Sequence, residues 1–205
     1  MFYSEKHKFV YLAIPKTGST SIRRILRDRF DAVCLRDGHD NVIPPEFKNY
    51  FTFTCVRNPF HRIVSSYFHV HRKTNQIIPV DQCWSKFHMV SMCKYLRTTY
   101  RLDHYAYPQD EEDQFIVGNE HTRLDQAIKL ESLEEDFAKL PFVTERINFP
   151  NENTVQRQIL LGNNKPLRIP SELIAEIPTR YHEDFERFGY EKTVPDGLKM
   201  PPVFL

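Results

Sequence analysis

Glycine is scarce in this chain, with 6 among 205 residues. That excludes collagen-like and glycine-rich linker architectures and makes a glycine between two structured segments worth explaining. Cysteine is scarcer still. The 4 cysteines (Cys34, Cys55, Cys83 and Cys93) show no C-x-x-C spacing and no grouping with histidine of the kind that holds a metal. A chain of this length needs no disulfide framework, so they read as reduced thiols, with a Cys83–Cys93 pair as the alternative. Long apolar runs are missing as well. The first, residues 9–14, has 6 residues, against about 20 for a membrane-spanning helix. With no signal-peptide pattern either, a cytoplasmic protein without a membrane segment is expected. Excess charge of one sign is also absent: 28 Lys and Arg face 27 Asp and Glu, for a net charge of +1. The chain is no polycation, and anion binding must come from local placement of basic groups. No stretch interleaves basic residues with exposed aromatics as a stacking platform does, so no nucleic-acid partner is expected.

What is present is core-forming material. The sequence holds 16 Phe and 10 Tyr, is 40% hydrophobic and 27% charged, and so reads as an ordinary globular protein. Residues 8–14 (KFVYLAI) predict a buried strand, and residues 15–21 (PKTGSTS) a loop. Ile22, Ile25, Leu26 and Phe30 then recur at helical spacing, with Arg23, Arg24, Arg27 and Asp28 on the other side. Residues 50–56 (YFTFTCV) repeat the strand pattern and end at Arg57-Asn58-Pro59. There Asn58 suits a helix cap and Pro59 a first turn, ahead of Ile63, Val64, Tyr67 and Phe68.

Two strands that each feed a helix predict a parallel sheet with helices packed on it. Residues 80–100 predict a helix that buries Trp84, Phe87, Met92, Tyr95 and Leu96. Residues 127–130 suggest a strand, 132–140 a helix, and 171–188 a last helix kinked or divided at Pro178. The DEED stretch at 110–113 reads as a solvated turn, and the proline-rich tail after Tyr190 as irregular. The expectation is one α/β domain over 1–205, its core at about 8–190 and its tail at 191–205. A central parallel sheet of about four or five strands would carry helices on both faces.

The loop Pro15-Lys16-Thr17-Gly18-Ser19-Thr20-Ser21 is the segment richest in chemistry. Between a strand and a helix N-terminus it offers backbone N–H groups, hydroxyls and a lysine to one anion. A polar turn with an ordinary helix cap is the plainer reading. It is not a Walker A loop, which requires lysine after the second glycine; Lys16 precedes Gly18. Nor does the second strand end in an acidic residue that would help hold magnesium. It ends in Arg57, and Ser65 follows eight positions later. A guanidinium fork plus a hydroxyl suits a phosphomonoester, although an arginine before a helix is also a common local ion-pair former. Two anion sites at the carboxyl ends of two strands fall where open α/β sheets bind ligands.

KFVYLAIPKTGSTSI and YFTFTCVRNPFHRIVSSYFH resemble the 5′-phosphosulfate loop and the 3′-phosphate motif of the sulfotransferases, closest to the carbohydrate-type family of the Golgi glycosaminoglycan enzymes and their bacterial relatives. The likeness continues at His39, at YPQ (107–109), at LESLEEDF (130–137) and at YHEDFERFGY (181–190). It implies a P-loop-kinase-like sulfotransferase fold and 3′-phosphoadenosine 5′-phosphosulfate (PAPS) as donor co-substrate. The product would be adenosine 3′,5′-bisphosphate (PAP), with no metal and with a hydroxyl acceptor, carbohydrate by resemblance. It further implies that Lys16 stabilises the leaving group and that Thr17, Gly18, Ser19, Thr20 and Ser21 cradle the 5′-phosphate. Arg57 and Ser65 would hold the 3′-phosphate.

For the base that takes the acceptor proton, His39 is the candidate, since imidazole titrates near neutrality. Glu46, Asp37 and Asp40 are its rivals. His61 and His69 read as helix residues near the nucleotide, and His104 as lining the acceptor side. Arg23, Arg27, Arg72, Lys73, Arg97 and Arg101 would make a basic cleft for an acidic acceptor, or simply solvated helix faces. Two other functions stay open. One is a nucleotide or metabolite kinase of related fold; the other is a catalytically silent PAPS- or PAP-binding protein.

Overall fold

The computed structural model describes residues 1–35, 45–47, 49–74, 79–86, 89–99, 124–149 and 169–198. The chain opens with β1 (Phe2–Ser4), turns through residues 5–8 and returns as β2 (Phe9–Leu12). Lys8 takes a left-handed φ of 52° at the end of that turn. A connection this short can join only antiparallel strands, and Phe2 lies opposite Tyr11. After α1 (Ser19–Phe30), the two-residue β3 (Val33–Cys34) adds antiparallel to the free side of β1. β4 (Phe51–Val56) pairs in parallel with β2, and β5 (Gln126–Lys129) in parallel with β4.

The sheet order is β3-β1-β2-β4-β5. The fold is thus mixed α/β with a five-stranded sheet flanked by helices. The expectation of a parallel sheet holds only for β2, β4 and β5. β1 alone runs the other way, because a tight hairpin joins it to β2; β3, antiparallel to β1, points the same way as β2 but is separated from it by β1. The strand predicted at 127–130 lies one residue earlier.

β2 is buried along its whole length, as a strand covered on both faces should be. Its alternation divides the core. Val10 and Leu12 join Met92, Cys93, Tyr95 and Leu96 of α4 (Met92–Thr99) on one face. Phe9 and Tyr11 join Ile22, Leu26 and Phe30 of α1 and Phe137 of α5 (Leu133–Phe137) on the other. α1 buries the predicted face, with Ile25 half-buried at its margin. A third cluster sets Phe60, Ile63 and Tyr67 of α2 (Pro59–Thr74) against Leu173 and Ile177 of α6 (Ser171–Arg180) and Phe185 of α7 (His182–Phe188).

Asn58 caps α2 as predicted: its Oδ1 accepts the Phe60 N–H at 3.0 Å, and Pro59 takes the first helical position. The helix predicted over 80–100 is instead two, α3 (Val80–Cys83) and α4. Ser91 starts the second one, its Oγ accepting the Lys94 N–H at 3.1 Å in an N-cap arrangement. Met92, Tyr95 and Leu96 are buried and Trp84 is half-buried; Phe87 lies outside the described residues.

The last helix does divide, but at Tyr181 rather than at Pro178, which stays inside α6. Tyr181 is buried and its hydroxyl donates to the Met89 carbonyl. The helix predicted over 132–140 is a 3-10 turn (Leu130–Ser132) that runs into α5. Residues 191–198 carry only a 3-10 turn, Asp196–Leu198. All 4 cysteines are free, so Cys83 and Cys93 do not pair. Among the described residues no helix is long and apolar enough to cross a membrane. The DEED stretch and YPQ lie outside the described residues.

Candidate active site

The carboxyl ends of β2 and β4 lie side by side, with Leu12 opposite Thr54 and the Thr54 hydroxyl donating to the Leu12 carbonyl at 2.6 Å. From that edge the Pro15–Ser21 loop leaves β2 and enters α1. Two of its residues have left-handed backbone, Lys16 at φ 69° and Gly18 at φ 79°, while Thr17 between them does not. Alternation of this kind turns successive N–H groups toward one side, the geometry of an anion-binding nest. Gly18 is the N-cap of α1, and no side chain among the described residues caps that end. The first intrahelical bond runs from the Ile22 N–H to the Gly18 carbonyl at 3.2 Å, so the amides of Ser19, Thr20 and Ser21 precede the ladder. Positive dipole and free-facing donors together favour an anion there.

The hydroxyls of the loop differ in what they are left to do. Thr17 is fully buried and its Oγ1 donates to the Ile14 carbonyl at 3.0 Å, which closes the turn. Its contribution to an anion is therefore through its backbone. Ser19 is buried and its Oγ accepts from Arg23 Nη2 at 3.0 Å. Thr20 is exposed and Ser21 half-buried. Leu130 roofs the loop: a Cβ on Gly18 would lie 2.6 Å from Leu130 Cδ1.

Arg57 follows β4 directly and reaches back to this loop, its Nη1 donating to the Lys16 carbonyl at 3.3 Å. The two candidate residues for the two phosphates are thus joined. Burial pulls the Arg57 guanidinium below its ordinary pKa, and the Glu131 carboxylate is the strongest charge acting against that pull. Glu131 accepts the Asn58 N–H at 2.8 Å through Oε1 and the Tyr190 hydroxyl at 2.9 Å through Oε2. Lys129 sits 4.6 Å over the Tyr190 ring and donates to the Gly189 carbonyl at 3.2 Å.

The segments LESLEEDF and YHEDFERFGY therefore meet at the edge that carries Arg57. Sequence reading missed Glu131, Lys129 and Tyr190 as neighbours of the site, because nothing local to either segment tells which carboxylate will face an arginine far away in the chain.

Ser65 is buried in the second turn of α2. His61, one turn earlier, is half-buried; burial, reinforced by the charge of Arg57, lowers its pKa and favours the neutral imidazole. Among the candidate bases, Glu46 is exposed in the 3-10 turn Pro45–Phe47. His39, Asp37 and Asp40 lie outside the described residues, as do His104 and Arg101 and the side chains of Arg72, Lys73 and Arg97. Arg23 is half-buried and Arg27 exposed. Arg62 was missed altogether. It is fully buried on α2, with Nε 3.2 Å from the Pro15 carbonyl and Nη1 2.8 Å from that of Val90.

A family model described as the sulfotransferase family matches residues 1–191 of the chain. No curated protein and no solved structure gives a significant match. The matched span takes in the loop after β2, the Arg57–Ser65 segment and the Glu131–Tyr190 contact. The chain belongs to the sulfotransferase family, transferases whose chemistry is the movement of a sulfuryl group to an acceptor.

Proposed function

We propose that this protein transfers a sulfuryl group from PAPS to a hydroxyl of a carbohydrate acceptor. The observation that supports it above all is the pairing of two anion-competent elements at one sheet edge. A loop with left-handed Lys16 and Gly18 opens onto the start of α1, and Arg57 from the next parallel strand is bonded to that loop. In this reading the amides of Gly18, Ser19, Thr20 and Ser21 hold the 5′-phosphate, with Thr17 shaping the turn. Arg57 and Ser65 hold the 3′-phosphate. Lys16 neutralises charge on the bridging oxygen as its bond to sulfur breaks, the electrostatic strategy of phosphoryl transfer. The acceptor oxygen forms the new bond to sulfur, and its proton passes to His39. The carbohydrate acceptor rests on the resemblance of the two phosphate motifs to carbohydrate-type enzymes.

The experiment is calorimetric titration with PAP, with AMP and ATP–magnesium as controls. Binding of PAP well above both controls is the expected result, because only PAP offers a phosphate to Arg57 and another to the loop. Preference for ATP–magnesium would overturn the reading in favour of a kinase. With PAP binding in hand, sugars and small alcohols are screened as acceptors.

A further inference from the structure

Arg62 is the largest fully buried side chain among the described residues, and the donor-site reading assigns it nothing. Its guanidinium bonds the Pro15 carbonyl and the Val90 carbonyl, while its Nη2 is buried with no hydrogen-bond partner among the described residues. Asp184 of α7 is the strongest opposing charge acting on it. Asp184 is itself fully buried, and its two oxygens accept the N–H groups of Met92 and Cys93, each at 2.8 Å. With Tyr181 bonded to the Met89 carbonyl, this one buried group of side chains pins residues 89–93 and the exit of β2 together.

A buried guanidinium with an unpaired N–H is a poor device for stability alone, since apolar side chains of similar volume often serve as well or better. What an apolar side chain cannot do is fix the direction of a carbonyl. Here the two carbonyls that flank the Lys16 Cα are both held by arginine, Pro15 by Arg62 and Lys16 by Arg57. Each carbonyl marks the plane of a rigid peptide unit. Holding the carbonyl on each side restrains φ and ψ of Lys16, and with them the direction in which its Cα–Cβ bond points. That direction is a left-handed one, unfavourable for a lysine unless its surroundings impose it.

We propose that Arg62 is a positioning residue for sulfuryl transfer: bonded to the Pro15 and Val90 carbonyls, it restrains the peptide unit before Lys16, aims the lysine, and ties that aim to the 89–93 segment at the start of α4. The inference rests on the donor-site reading above. It goes beyond that reading by naming a buried residue, remote from the reacting atoms, that the reaction needs.

Two variants test it. Arg62→Lys keeps the charge but has no planar fork for two carbonyls. Arg62→Met with Asp184→Asn removes both charges, so no uncompensated ion is left inside. The readout is the single-turnover rate at which bound PAPS becomes PAP with water as acceptor, per site counted by PAP calorimetry. Unfolded protein then does not enter the rate. A misaimed Lys16 predicts a rate about 100-fold lower per site, with a far smaller change in PAP affinity. A variant that binds PAP and turns over at the wild-type rate per site overturns the inference, and so does a loss confined to the number of sites. Failure of the wild-type protein to bind PAP is a separate result; it removes the donor reading and this inference with it.

Discussion

Lys16 joins two properties that a loop lysine does not ordinarily share. Its backbone is left-handed, at a cost of about 1–2 kcal/mol for a residue with a Cβ, and its carbonyl is held by Arg57. In the proposed reaction its ammonium would act on charge that develops only as the sulfur–oxygen bond breaks, so its removal should tell on the rate more than on binding. Lys16→Ala is expected to slow single-turnover conversion of PAPS by about 100- to 1,000-fold, with PAP affinity near that of the wild type. An unchanged rate would remove Lys16 from the chemistry. Lys16→Gly separates backbone from side chain: the rate loss should be the same, while denaturant melts show a gain of up to about 1 kcal/mol from relief of the left-handed conformation. The residue types at 15–21, 57 and 65 mark them in the sequence as candidate anion ligands. Arg62 carries no such mark, because an arginine in RNPFHR reads as one more charge on a helix face. Only the packing of α2 shows that Arg62, beside Ile63 and one turn before Ser66, is buried with both.

Among the elements, the junction from β2 to α1 carries the most constraint. Gly18 combines a φ of 79° with a gap too small for a Cβ beneath Leu130. Gly18→Ala is therefore expected to destabilise by the left-handed penalty of about 1–2 kcal/mol plus the displacement of Leu130. Repeating it in a Leu130→Ala background should recover the second part only, a non-additivity that thermal or urea melts measure directly. Full additivity would show that Leu130 does not roof the loop. This junction, β4 and the Asn58 cap were all legible, because strand periodicity, a cap residue and a proline at the first helical turn are local signals. β1 was not. Its three residues before a turn are too few to show a period, and only pairing with β2 makes them a strand. The division of α3 from α4 was missed for a related reason: the helical spacing of Met92, Tyr95 and Leu96 runs back into residues that do not continue it. Ser91 marks the true start, and the second half of that mark, Asp184, lies 91 or more positions away in sequence.

The whole molecule brings the candidate site together from distant parts of the chain. Loop residues 16–21, Arg57, Glu131 and Tyr190 meet at the parallel edge of β2, β4 and β5, with one core cluster on each face of the sheet. An anion that bridges the loop and Arg57 would thus bind segments that separate only when the sheet itself comes apart. It should stabilise the folded state as a whole and not just the loop. At a free PAP concentration 100 times its dissociation constant, linkage adds about 2.7 kcal/mol to stability. For a chain of this size that raises the melting temperature by roughly 5–10 °C. AMP at the same concentration should shift it far less, for want of the group that Arg57 would hold. Calorimetric saturation by PAP without a shift in melting temperature would mean that the loop opens independently of the sheet. The two arginine bonds to the Pro15 and Lys16 carbonyls would then be too weak to couple site and core.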